Sequence, residues 1–255
     1  MILDEFVLDG KTAIVTGASR GLGKAIAIAL AEAGADVVLT SRTIKDLEVT
    51  ASEIEKRGRK GVPIATDVRV QTQVEQMVDK TIELFGKVDI LVNNAGIVIE
   101  KALMEVTEEE WRRVIDTNLT GMYFCAKAVG KYMIKQGGGK IINLASAMGI
   151  DTFPNLVSYS SSKGGVLLFT RALAVEWGRY NIQVNSLTPG YFYTDFTYNV
   201  LDNPKLINVI LKKIPLRRYA QPHELGGTVV FLASKASDFM TGSNIVIDGG
   251  QTIAM

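Results

Sequence analysis

Short apolar runs alternate with longer segments of helical period along the 255 residues. Residues 11–16 (KTAIVT) are a continuous β-prone run of the kind a buried parallel strand shows. They lead through Gly17-Ala18-Ser19-Arg20-Gly21-Leu22-Gly23 into an alanine-rich helix. The alternation continues with a strand at 35–40, a charged helix at 44–57, a strand at 61–66, a helix at 70–85 and a strand at 88–92. A long helical stretch follows at 107–136, then a strand ending in Ile141, Ile142 and Leu144, a helix from Asn155 onward and a strand at 182–187. A helix at 221–233 and a strand at 244–250 close the pattern. Strand and helix in strict alternation over short connections predict an α/β fold, a doubly wound parallel sheet flanked by helices, with 1–255 as a single domain. Only the stretch 191–213 breaks the rhythm. At the carboxyl edge of such a sheet an excursion of this kind is a candidate lid over a substrate.

Charge and composition narrow the partners. With 28 basic and 27 acidic residues the formal net charge is +1, which gives no field to draw nucleic acid or an anionic membrane. A small-molecule partner is expected. No apolar run reaches the roughly 18 residues of a membrane span, and the start, MILDE, lacks the basic region of a signal peptide, so the cytoplasm is the expected location. Cys125 is the only cysteine and His223 the only histidine. An intrachain disulfide is impossible, no metal site is expected, and a Ser-His-Asp triad could be built only on His223, which follows Pro222 where a helix begins.

The chemistry-bearing residues fall at strand ends. In the strand-to-helix loop, Gly17, Gly21 and Gly23 permit close backbone approach, and the free N–H groups of the following helix suit a pyrophosphate. The spacing G-x-x-x-G-x-G differs from the G-x-G-x-x-G fingerprint. Where folds that prefer NAD carry a carboxylate at the end of the second strand, this chain has Thr40-Ser41-Arg42. Arg42, with Arg20 as a second cation, suits a 2′-phosphate, so NADP(H) is expected in preference to NAD(H), the second option. Asp67, after the third strand, is placed to accept from an adenine amino group, and Asn93-Asn94-Ala95-Gly96 follows the fourth. Asn118 is poorly suited to a helix interior: either it marks a distortion that frees a backbone carbonyl or it is a tolerated surface residue. Tyr159 and Lys163, four residues apart, share a helix face, and an ammonium beside a phenol favours the phenolate. Ser146, at a strand end thirteen residues before the tyrosine, can bond the same substrate oxygen. These three polarise a C=O or CH–OH group.

Together these motifs resemble the short-chain dehydrogenase/reductase family over essentially the whole chain. The resemblance implies a Rossmann-type seven-stranded parallel sheet and a catalytic tetrad of Asn118, Ser146, Tyr159 and Lys163. It implies a cofactor site of Gly17, Ser19, Arg20, Gly21, Leu22, Gly23, Ser41, Arg42, Asp67, Val68, Asn94, Ala95 and Gly96, completed by Tyr159, Lys163, Pro189, Gly190, Phe192 and Thr194. Tyr159 would exchange a proton with the substrate oxygen as hydride moves, Ser146 would stabilise the alkoxide, and Lys163 would bind the nicotinamide ribose and lower the tyrosine pKa. Asn118 would hold a water that relays protons. Members are commonly tetramers built through the long helices around Asn118 and Tyr159, so a homotetramer is expected.

For the substrate, the run from Ala174 to Asn185 with Pro189-Gly190-Tyr191-Phe192 is similar to gluconate 5-dehydrogenases and related sugar-acid dehydrogenases. Those enzymes often place arginines just after N-N-A-G; here Ile97-Val98-Ile99-Glu100 stands there, and Lys101 is the first cation available for a carboxylate. Met148, Phe153, Phe192, Tyr193, Phe196 and Tyr198 suggest an apolar wall that suits a less polar ketone. A 3-oxoacyl carrier-protein reductase shares nearly all the motifs, although Tyr180 beside Arg179 stands where a docking arginine is usual. A non-catalytic NADP(H)-binding protein has no need of Tyr159.

Overall fold

The computed structural model describes residues 1–254, and the side chains of all of these except Val200, Pro204, Lys205 and Leu206, which lie in the 191–213 segment. Seven strands form one parallel sheet: β1 (Thr12–Thr16), β2 (Asp36–Ser41), β3 (Gly61–Ala65), β4 (Ile90–Asn93), β5 (Gly139–Leu144), β6 (Ile182–Pro189) and β7 (Asn244–Ile247). Their order is β3-β2-β1-β4-β5-β6-β7. Central strands such as β1 are buried at every position because helices cover both faces. One core cluster gathers Val15, Val37, Leu39 and Val92 with Ile26 and Leu30; the other gathers Ile14, Val38, Leu91 and Ile141 with Met77 and Met133. Successive residues of one strand thus feed opposite layers.

The chain runs outward from β1 to β3, then returns to place β4 on the other side of β1. This reversal opens a crevice at the carboxyl ends of β1 and β4, the place where sheets of this kind hold ligands. Thr16 pins the two strand ends together: its hydroxyl oxygen accepts the N–H groups of Asn94 and Ala95, each at 3.0 Å.

The helices include α1 (Gly21–Glu32), α2 (Ile44–Glu55) and α3 (Gln71–Phe85). The expected single helix at 107–136 is three pieces: α4 (Glu108–Ile115), a π-helical turn at Asp116–Thr120 and α5 (Gly121–Gln136). A Thr107 capping box starts it, with Thr107 Oγ1 accepting from the Glu110 N–H at 3.2 Å. The helix expected from Asn155 onward is α6 (Val157–Trp177). Asn155 itself has φ +68°, which no helix interior accommodates. The 191–213 excursion contains α7 (Tyr198–Leu201) and α8 (Pro204–Lys213). The last helix begins with a 3₁₀ turn at Pro222–Leu225 and continues as α9 (Gly226–Ala233), leaving His223 exposed. No helix among the described residues is long and apolar enough to cross a membrane.

Candidate active site

The glycine loop is shaped by contacts that only glycine allows. Gly17 has φ +67°, and a Cβ at Gly23 would stand 2.2 Å from the Gly17 carbonyl oxygen. Asn94 holds the loop, its Nδ2 donating to the carbonyls of Thr16 at 2.9 Å and Gly17 at 3.2 Å. The Asn94 side chain is therefore committed to the scaffold.

A cleft of about 460 Å³ runs from this loop across the strand ends. Every sequence-expected cofactor residue lines it: Gly17, Ser19 and Arg20 to Gly23, Ser41, Arg42, Asp67, Val68, Asn94 to Gly96, Pro189, Gly190, Phe192 and Thr194. Ser146, Tyr159 and Lys163 line it too. A larger, more open groove of about 1150 Å³ along α1, α9 and the 191–213 segment reaches none of these three.

At the reacting end, the Ser146 oxygen accepts from the Met148 N–H at 3.2 Å, which leaves its proton free to turn toward the cleft. The Tyr159 phenol is buried, and burial raises it above its ordinary value while a hydrogen bond with Ser146 pulls it back down. Lys163 Nζ donates to the Leu144 carbonyl at 2.7 Å and lies 5.9 Å from the centre of the Tyr159 ring. Burial brings this ammonium down to about 8. The expected lowering of Tyr159 by Lys163 thus differs from what is found: desolvation of the phenol prevails, and Ser146 supplies the opposing effect.

Asn118 is wholly buried, so the surface reading of it is set aside and the helix distortion stands. Its Oδ1 accepts from the Ile97 N–H at 2.8 Å, and its Nδ2 donates to the Ile97 carbonyl at 2.9 Å and to Ser162 Oγ at 3.0 Å. Ser162 in turn donates to the Tyr159 carbonyl at 2.6 Å. The π turn, the N-N-A-G segment and α6 are locked together through one amide, and Ser162 is a member of this network that no motif in the sequence marks.

At the other end Arg42 is exposed and makes no ion pair among the described residues, yet it lies near enough to Asp67 to help lower that carboxyl. The larger influence on Asp67 is Arg69, whose Nη2 meets it at 2.5 Å. Asp67 is therefore tied to a partner on its own strand-end turn. Arg20 points elsewhere than expected: it pairs at 3.5 Å with Asp195 of the 191–213 segment. The aromatic wall is also thinner than expected. Met148, Phe192 and Phe196 line the cleft, and Phe196 lies 6.0 Å from Tyr159 between ring centres. Tyr193 instead stacks on Tyr219, Phe153 lies under Lys213, and Tyr198 faces the other groove.

Residues 17–252 match the family model described as Enoyl-(Acyl carrier protein) reductase. The chain belongs to the short-chain dehydrogenase/reductase family. It is 39% identical over 251 residues to the Escherichia coli 2-dehydro-3-deoxy-D-gluconate 5-dehydrogenase, covering 98% of each chain. It is 40% identical over 248 residues to a Synechocystis 3-oxoacyl-[acyl-carrier-protein] reductase, covering 96% of this chain and 98% of that one. The crystal structure of a Burkholderia cenocepacia gluconate 5-dehydrogenase in complex with NADP and tartrate superposes with a TM-score of 0.96 at 37% identity, over 100% of both chains.

As a short-chain dehydrogenase/reductase, the protein is an oxidoreductase acting on CH–OH groups. Its cleft fits a nicotinamide dinucleotide. Gly17 and Gly23 let the loop fold tightly against itself and Asn94 along the cleft wall, and Thr40 Oγ1, buried in the cleft lining near the end of β2, has no hydrogen-bond partner among the described residues.

Proposed function

We propose that the protein interconverts a ketone and a secondary alcohol with NADP(H) as its preferred cofactor, on a polyhydroxylated sugar-derived skeleton. The observation that carries this reading is the convergence of Ser146 and Lys163 on a buried Tyr159 in the same cleft that ends, at β2, in Thr40, Ser41 and Arg42, which has no ion pair among the described residues. The glycine loop would hold the pyrophosphate, Arg42 with Ser41 the adenosine end, and Lys163 with Asn94 to Gly96 and Pro189 to Thr194 the nicotinamide end. When bound, the cofactor supplies or accepts the hydride. Tyr159 gives its proton to the substrate oxygen on reduction and takes it back on oxidation, and Ser146 donates to the same oxygen as negative charge gathers there. Asn118 keeps the Tyr159 helix in register with the turn that carries Gly96. The segment 191–213 acts as a lid, with Phe196 covering Tyr159.

The names of the Escherichia coli and Burkholderia relatives support the sugar-derived skeleton. The Synechocystis relative supports a second reading, reduction of a 3-oxoacyl thioester. Against it, Arg179 is bound to its neighbour, Nη2 donating to Tyr180 Oη at 2.7 Å with the guanidinium 4.8 Å from the ring centre. We also propose that the chain assembles as a homotetramer through α5 and α6.

The test follows NADPH oxidation and NADP⁺ reduction, each repeated with the NAD forms, against ketosugars, polyols, sugar acids and an acetoacetyl thioester. Tyr159→Phe is expected to lower kcat/KM by about 10³-fold while cofactor affinity stays within about threefold. Retention of the rate would sink the assignment. Arg42→Ala is expected to reduce the preference for NADP(H) over NAD(H) by about tenfold; an unchanged ratio would remove Arg42 from the cofactor site.

A further inference from the structure

The substrate side of the cleft carries an acid where a sugar-acid enzyme needs a base. Glu100 lines the cleft with Ile97, Val98 and Tyr191. It stands four residues beyond Gly96, and a Cβ at Gly96 would lie 3.6 Å from Lys163 Nζ, so the segment that bears Glu100 leaves directly from the reacting end. The next residue points away. Lys101 is paired with Glu110 at 2.5 Å, and its N–H donates to the Asn155 carbonyl at 2.9 Å, which fixes the loop with Lys101 turned toward α4. Lys101 does not line the cleft, which withdraws it as a carboxylate contact.

Among the described residues Glu100 has neither an ion pair nor a side-chain hydrogen bond. Glu100 is solvent-exposed at the cleft rim; burial holds the Tyr191 phenol above its ordinary value, and the charge of Glu100 adds to that. A carboxylate without an ion-pair partner disfavours an incoming carboxylate or phosphate and offers acceptor oxygens to a hydroxyl. Tyr191, half-buried beside it, adds a phenol that can donate or accept.

We infer that Glu100 and Tyr191 form a specificity subsite that takes the neutral, hydroxyl-bearing end of the substrate and turns carboxylates away. This deepens the proposed function and rests on its placing the reacting oxygen at Tyr159. The substrate class is then a polyol or hydroxyketone, and the sugar acids named for the relatives are poor substrates.

D-Sorbitol and D-gluconate differ only in a CH₂OH or a carboxylate at one end, which makes them the test pair. The wild-type enzyme with NADP⁺ is expected to favour sorbitol in kcat/KM by about tenfold or more. Glu100→Gln narrows that ratio several-fold, and Glu100→Arg shifts it toward gluconate. If neither compound turns over, the same pair is titrated into the NADP⁺-loaded protein and the binding ratio is read instead. A wild type that does not favour sorbitol, or a ratio that stays within about twofold in both variants, overturns the inference. The parent reading fails separately, if Tyr159→Phe keeps its rate on either compound.

Discussion

Lys163 is an ammonium sealed beneath Tyr159, and its folded pKa of about 8 lies well below the 10.5 of a free lysine. Such a group costs stability at pH values where it is charged in both states, and the cost is relieved as pH rises from about 8 toward 10.5, because there the unfolded chain binds the proton that the native state has released. Unfolding free energy is thus expected to gain about 3 kcal/mol from this one site over that window, against whatever other groups contribute. Denaturant melts of wild type and Lys163→Met at pH 7.5 and 10 measure it as a difference. A pH dependence identical in the two proteins would mean that Lys163 titrates normally. The sequence showed this residue plainly, since the four-residue spacing from Tyr159 is visible in one dimension. It could not show Glu110 reaching back to Lys101, Asp195 claiming Arg20, or Ser162 receiving Asn118, because those partners are brought close only by the fold.

The π turn and the 191–213 segment are the two irregular elements beside the cleft. A π turn inserts an extra residue into the helical register, and here it lets Asn118 face inward between α4 and α5. The Ile97 N–H and carbonyl both depend on the Asn118 amide. Asn118→Ala leaves them without it and is expected to cost about 2–4 kcal/mol, read by thermal or denaturant unfolding. Asn118→Asp, which sets a buried carboxyl oxygen against the Ile97 carbonyl, is expected to cost at least as much. Equal stability of all three would show that water replaces the amide at no cost. The sequence marked Asn118 as odd in a helix, but not the sign of its burial, since a polar residue within a helical pattern reads the same on either face. The 191–213 excursion was legible as a break in alternation, whereas the direction of its aromatics was not. Phe196 is 50% exposed, so Phe196→Ala should change stability little and lower kcat/KM by about tenfold, by uncovering Tyr159. Full activity in that variant would argue that the segment does not close over the reaction.

The whole molecule is a parallel sheet whose alternation the hydrophobic pattern displayed everywhere but at 191–213, while the order of its strands depends on where the chain reverses after β3. That reversal explains why residues as distant as Gly17, Asn94, Ser146 and Pro189 meet, since each follows or ends a strand whose carboxyl end opens onto one crevice. Helices cover the central strands of the sheet on both faces; the outer face of α6 is itself uncovered among the described residues. Leu168 is 66% and Val175 87% exposed, and with the exposed Ala172 they stand at i, i+4 and i+7, one stripe along the helix. Helix α5 also exposes Tyr123 and Ile134. A partner laid along this stripe, as in the proposed tetramer, would stiffen the helix that carries Tyr159 and Lys163 and so couple assembly to the site. Sedimentation of the wild type is expected to give four times the 27.7 kDa chain. Val175→Glu, an acid set into the stripe, should lower that mass and reduce kcat on a good substrate, with the folded far-UV spectrum kept. A wild type that sediments as a single chain removes the tetramer; a dissociated variant with unchanged kcat keeps the tetramer but separates it from the chemistry at Tyr159.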